Sequence, residues 1–142
     1  MAILDHSSLL LSQGSLPPAT FYVDHDEIAT AKSRGFSEGW QLGYQETIAD
    51  IERFGFIGAS LSYEKLTSAF YRQGSLPPAM IDYGTYGNKK QRKTALARTA
   101  YSQACAEGWQ EGHKIAIDDC ARLGLLSITD DSNAPSSRVS GS

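Results

Sequence analysis

The stretch Gly35-Phe36-Ser37-Glu38-Gly39-Trp40-Gln41-Leu42-Gly43-Tyr44 decides the reading of this chain, because it occurs twice. Its second copy, Ala104-Cys105-Ala106-Glu107-Gly108-Trp109-Gln110-Glu111-Gly112-His113, follows 69 residues later. Both copies place a small residue at every fourth position and a tryptophan directly after the middle one. Residues four apart share one face of an α-helix, so Gly35, Gly39 and Gly43 line a groove, and Gly108 and Gly112 line its counterpart. Phe36, Trp40 and Tyr44 form the ridge beside the first groove; Cys105, Trp109 and His113 take those places in the second. A glycine inside a helix costs about 1 kcal/mol relative to alanine, so the three of the first copy cost about 3 kcal/mol. Close approach of a second, interdigitating helix offsets that cost. The most economical second helix is the other copy, giving an internal pseudo-twofold hairpin. The rival is the same face on another chain.

The duplication extends beyond the glycines. Between Ala29–Phe56 and Arg98–Leu125, twelve of twenty-eight positions are identical, including Glu38/Glu107, Trp40/Trp109, Asp50/Asp119 and Arg53/Arg122. Upstream, Gln13-Gly14-Ser15-Leu16-Pro17-Pro18-Ala19 returns as Gln73-Gly74-Ser75-Leu76-Pro77-Pro78-Ala79, at an offset of 60. This heptapeptide reads as a connector. Its glycine ends the preceding helix, its prolines fix φ near −65°, and the leucine before them is pushed out of the α region. Leu16 and Leu76 are expected to tuck into the core as pins. Two copies suit a pseudo-symmetric pair better than a solenoid, which needs about three repeats.

Each unit then comprises a short helix, a Gly-Pro-Pro connector and a long helix. The first long helix is expected to start with a capping box at Asp24 and Glu27, after the β-prone Thr20–Val23, and to stop at Gly55. The second is expected over Thr94–Leu123, stopping at Gly124. Tyr63, Leu66 and Phe70 lie on one face of a short amphipathic helix in 60–72, and Leu4–Leu11 is its counterpart. The difference between the two offsets marks a surface insertion within 81–93, Gly-rich and then basic. The fold expected is therefore all-α: two tandem pseudo-symmetric short-helix/Gly-Pro-Pro-loop/long-helix units packed as a helical bundle. One domain spans 1–127, with repeat one at 3–58 and repeat two at 61–127; 128–142 is a polar flexible tail.

Gly35–Tyr44 resembles the Gly-xxx-Gly runs of flagellar and type III export stator proteins, over about ten residues per copy. The resemblance implies a helix-packing device within an assembly and carries over no functional residue. The Gln-Gly-Ser-Leu-Pro-Pro-Ala connector departs from that family.

Composition narrows the function classes. The chain has 142 residues, 41% of them apolar and 20% charged, with a net charge of −3, which fits one soluble domain and gives no global pull toward nucleic acid. No apolar run reaches the ~20 residues of a membrane span, and Met1–His6 lacks a basic leader. Two cysteines suggest a reducing, cytoplasmic setting. Cys105 and Cys120 lie fifteen residues apart on one helix, roughly 22 Å, too far for a disulfide. They replace Phe36 and Ile51 and read as buried packing, as His113 does in place of Tyr44. His6 and His25 lack zinc-site spacing, and no P-loop or nucleophile elbow occurs. Asp24, Asp26 and Glu27 are explained by capping, while Asp118-Asp119 and Asp130-Asp131 read as solvated. No catalytic residue, cofactor or metal is expected.

One charge feature stands out. Lys89, Lys90, Arg92, Lys93 and Arg98, with Tyr83 and Tyr86 just upstream, could contact phosphates and stack a base. They also crowd the start of a helix, where the dipole disfavours cations. The expected function is a non-enzymatic structural or protein-interaction protein. It would be an accessory factor or a subunit of a larger, virus-encoded assembly, in the cytoplasm or a virus particle. Its partner would be itself or another protein rather than a membrane. The alternative is a small nucleic-acid-binding regulator using 89–98.

Overall fold

The computed structural model describes residues 6–129. It is mostly helical, with its main packing between two long helices. The elements run α1 (His6–Gln13), α2 (Glu27–Arg53), β1 (Ser60–Ser62), α3 (Tyr63–Gln73), α4 (Lys89–Arg122) and β2 (Ser127–Thr129).

Local chemistry sets the helix ends, and not always where the sequence pattern puts them. Asp26, not Asp24, caps α2, accepting from the Ala29 N–H at 2.9 Å. Asp24 and His25 instead form a tight turn, closed by the Asp26 N–H on the Val23 carbonyl, with His25 at φ 63°. α4 begins at Lys89 rather than Thr94, because Asn88 and Gln91 form a capping box. Of the insertion expected at 81–93, residues 89–93 are therefore helical, while Ile81 and Tyr83 stand where Phe21 and Val23 do in the first unit. Both long helices end in the same way. Gly55 and Gly124 each adopt φ 78°, and the Phe56 and Leu125 N–H groups reach back to the Ile51 and Cys120 carbonyls. This is the Schellman closure that only glycine makes without strain.

The long helices run parallel. Gly35 packs on Tyr101, Gly39 on Cys105 and Gly43 on Trp109, so the numbers rise together along both helices. The expected hairpin is thus corrected. After α2 the chain returns through β1, α3 and the second connector before starting α4, and that return lets equivalent ends meet.

At the C-terminal end of the pair, β1 and β2 form a two-stranded parallel sheet in which Leu61 pairs with Ile128. A purely all-α description omits it; three-residue strands are too short to show an alternating pattern. The sheet and α3 cover the main core of Ile51, Leu61, Leu66, Phe70, Ile117, Cys120 and Leu126. Ile51 and Leu66 are fully buried, whereas Tyr63, placed with Leu66 and Phe70 in sequence, is exposed. Among the described residues no helix is long and apolar enough to cross a membrane. Residues 1–5 and, of the tail expected at 128–142, residues 130–142 with Asp130 and Asp131 lie outside the described residues.

Candidate functional site

The glycine seam brings together every residue assigned to it. Gly35, Gly39, Gly43, Gly108 and Gly112 are buried, as are Trp40 and Trp109. A methyl group on Gly39 would sit 2.8 Å from the Cys105 Cα, and one on Gly43 2.8 Å from the Trp109 Cα. Reciprocally, a methyl on Gly108 or Gly112 would lie 2.9 Å from the backbone nitrogen of Trp40 or Tyr44. Backbone thus faces backbone across the seam. The ridges stack along their own helices, Trp40 on Tyr44 at 4.9 Å and Trp109 on His113 at 5.2 Å. His113 also meets the Phe70 edge and shares a 2.7 Å hydrogen bond with Thr47. Burial lowers its pKa, against the opposing pull of the Asp50 charge.

The connectors are held by a device that the sequence pattern does not announce. Asp119, 3% exposed, accepts from the Ser15 N–H (2.7 Å), the Ser15 hydroxyl (3.0 Å) and the Tyr44 hydroxyl (2.6 Å). Asp50, 4% exposed, accepts from the Ser75 N–H (2.7 Å) and hydroxyl (3.2 Å). Arg122 and Arg53 brace these carboxylates and donate to the Gln13 and Gln73 carbonyls, respectively. Each long helix therefore clamps the other unit's connector. The expectation that Asp118-Asp119 is solvated is corrected for Asp119, which is buried; its neighbour Asp118 is exposed. Burial pushes the Asp119 carboxyl up, but hydrogen bonds from Tyr44, Ser15 and Arg122 outweigh it and hold its pKa below the ordinary value. Tyr44, half-buried and bonded to that carboxylate, is correspondingly harder to ionise.

Because the serines carry the clamp, Leu16 and Leu76 are left 81% and 75% exposed, not tucked into the core. Beyond the prolines each chain segment lies along its own long helix as an extended arm. The Phe21 and Val23 N–H groups donate to Ser33 and Thr30 of α2; those of Ile81 and Tyr83 donate to Ser102 and Thr99 of α4. Ser33/Ser102 and Thr30/Thr99 are among the identical positions of the two copies.

The five cations are all exposed and all on α4, not in a loop. Glu27, the first residue of α2, is level with Leu96, so Lys89, Lys90, Arg92 and Lys93 ride on about two turns projecting past α2. Arg92 is tied back to the Gly87 carbonyl at 2.6 Å, and Arg98 lies 6.0 Å from the Tyr83 ring centre. Beside them opens a cleft of about 730 Å³, with Lys93 and Arg98 facing Asp24 and Glu27 of the first arm and α2. Arg34, over the Tyr101 ring at 4.8 Å, also lines it. Among the described residues no three His, Cys, Asp or Glu side chains gather as a metal would require. Cys105 is half-buried and Cys120 buried, both as thiols, and burial pushes Cys120 up to about 12.

No protein-family model matches the chain, and comparison with curated proteins and with solved structures finds no match. The stator-like glycine spacing packs the two long helices together in this chain.

Proposed function

We propose that this chain is a non-enzymatic structural or protein-interaction protein, a subunit of a larger, virus-encoded assembly or an accessory factor. In this reading it consists of two tandem pseudo-symmetric units whose arms grip a protein partner, in the cytoplasm or a virus particle. The observation that carries it is the repetition of exposed apolar side chains on the short helices, the clamped connectors and the arms that follow them. Leu11 and Tyr71 are 85% and 89% exposed, and Leu16/Leu76, Phe21/Ile81 and Val23/Tyr83 are likewise exposed at matching places. Scattered exposed apolar residues need no explanation, but the same positions exposed twice on segments held by buried carboxylates form a presented surface. Duplicated arms suit a partner that offers two like sites.

A photo-crosslinking residue at Leu16, Phe21, Leu76 or Ile81 tests this in the native source, with Lys65, exposed on α3, as the control position. Crosslinks to protein confined to the four arm positions support it. Protein crosslinks no more frequent there than at Lys65 would refute it.

One observation favours the second reading, a nucleic-acid-binding regulator: the projecting start of α4 carries Lys89, Lys90, Arg92 and Lys93, next to Tyr86, which is 89% exposed. Charge reversal at these four positions would then abolish oligonucleotide binding. Under the first reading it leaves the arm crosslinks unchanged.

A further inference from the structure

The cleft at the open end of the helix pair carries opposite charges that do not meet. Asp24 pairs with His25 at 3.4 Å, and Arg34 approaches Glu38 at 3.8 Å. Among the described residues no ion pair joins Asp24, Asp26 or Glu27 to Lys93 or Arg98 across the gap. Arm hydrogen bonds to Ser33, Thr30 and Thr99, together with the Asp26 and Asn88 caps, fix both lips from behind. The lips are thereby set to face something other than each other.

We infer that this cleft is the contact face for a second copy of the chain, joined about a twofold axis so that the acidic lip of each copy meets the basic lip of the other. The inference deepens the protein-interaction reading and rests on it. A twofold interface must be self-complementary, each patch meeting its own image. A patch carrying both signs side by side meets that condition, since Asp24 and Glu27 of one copy oppose Lys93 and Arg98 of its image and the reverse. A polyphosphate strand fits less well, because the acidic lip repels it. The apolar centre that a dimer needs is present: Tyr22 and Tyr83 line the cleft, and Phe21 and Ile81 stand exposed beside them. The glycine faces, the other candidate for self-association, are already used within the chain.

The test is sedimentation velocity on the full chain over a dilution series up to about 100 µM, a range that detects micromolar dimers. A dimer is expected at low salt, its dissociation constant rising at least about 10-fold when salt goes from about 0.05 to 0.5 M. Lys93→Glu with Arg98→Glu alters four contacts across a twofold interface and should weaken the dimer about 100-fold. Asp24→Lys with Glu27→Lys should do the same. Mixing the two variants should restore association to within about 10-fold of the parent, as a heterodimer. Asp26 stays untouched because it caps α2, and far-ultraviolet melting confirms that each variant folds.

A monomer throughout the series overturns the inference, as does a dimer indifferent to both reversals or a mixture that does not reassociate. A monomer that binds a single-stranded thymidine oligonucleotide through Lys93 and Arg98 overturns it in favour of nucleic acid. A monomer whose arms still crosslink to another protein overturns the dimer and leaves the interaction reading standing; one with no such crosslinks overturns both.

Discussion

Gly39→Ala is the substitution for which helix propensity and packing give opposite signs. Propensity alone favours alanine by about 1 kcal/mol in a helix interior. In the structure the new methyl carbon would lie 2.8 Å from the Cys105 Cα and closer still to its carbonyl group. Carbon atoms rest about 3.5–4.0 Å apart, so the helices must part by about 1 Å, and a gap of that size weakens each dispersion interaction by a quarter to a half. The whole seam loosens together, since Gly35, Gly43, Gly108 and Gly112 are in register with Gly39. Backbone, unlike a flexible side chain, cannot swing away. Overpacking of this kind costs up to about 3 kcal/mol, leaving a net loss of about 2 kcal/mol after the propensity gain. For a domain of this size that lowers the Tm by roughly 5–10 °C. Urea and thermal unfolding followed at 222 nm measure it, with exposed Gln41→Ala as the control expected within about 0.5 kcal/mol of the parent. An alanine variant as stable as the parent, or more stable, would refute close backbone packing. Gly39→Leu and Gly108→Leu, which add more bulk at the same seam, should each cost more than the alanine change.

Asp119→Asn keeps the shape of the clamp but removes the charge that Ser15, Tyr44 and Arg122 address; a loss of about 2–3 kcal/mol is expected, with faster amide exchange at Ser15. Stability should also vary with pH in two windows. The folded pKa of His113 is lowered by burial, so the unfolded chain binds more protons and stability falls as pH drops below about 6.5, a slope that His113→Phe removes. Asp119, whose folded pKa is also lowered, contributes stability above the unfolded carboxylate value that is lost as pH falls below about 4, a loss that is reduced in Asp119→Asn. Finally, iodoacetamide near pH 8 should alkylate half-buried Cys105 well before Cys120, whose thiol is fully buried and pushed up to about 12; equal rates would contradict the core assignment.

What was legible in the sequence is what lies within one helix. Glycine spacing, the Gly55 and Gly124 stops and the short amphipathic α3 depend on neighbours three or four residues away, and periodicity reports those. The direction of the helix pair was not legible, because a small-residue groove accepts a partner running either way; the return path of the chain decides it. Nor were the clamps. Asp119 meets Ser15 across 104 residues, and a carboxylate in an amphipathic sequence looks solvated until the donors it faces are known. A signal was nonetheless present. Asp50/Asp119 and Arg53/Arg122 are identical between copies whose flanking residues differ, and so are the serines of the two connectors. Reading identical polar residues of a duplication as mutual partners would have found the clamp and freed Leu16 and Leu76 from the core. The cleft is further from reach, because it joins residues of the first arm, α2 and α4 whose nearness follows only from the parallel arrangement.

Parallel pairing of the two long helices within one chain underlies the clamps, the arms and the cleft alike, and a pair of spin-label distances probes it without intermediaries. With Cys105 and Cys120 replaced by alanine, labels go on exposed Gln45 and Lys114, or on Gln45 and exposed Gln103. Parallel pairing puts the first couple level, at about 20 Å including the label arms, and the second about 15 Å further along the axis. The shorter distance is expected for Gln45 and Lys114, unchanged when labelled protein is diluted into an excess of unlabelled chain. A shorter distance for Gln45 and Gln103, or a Gln45–Lys114 signal that disappears on dilution, would contradict parallel pairing within the chain.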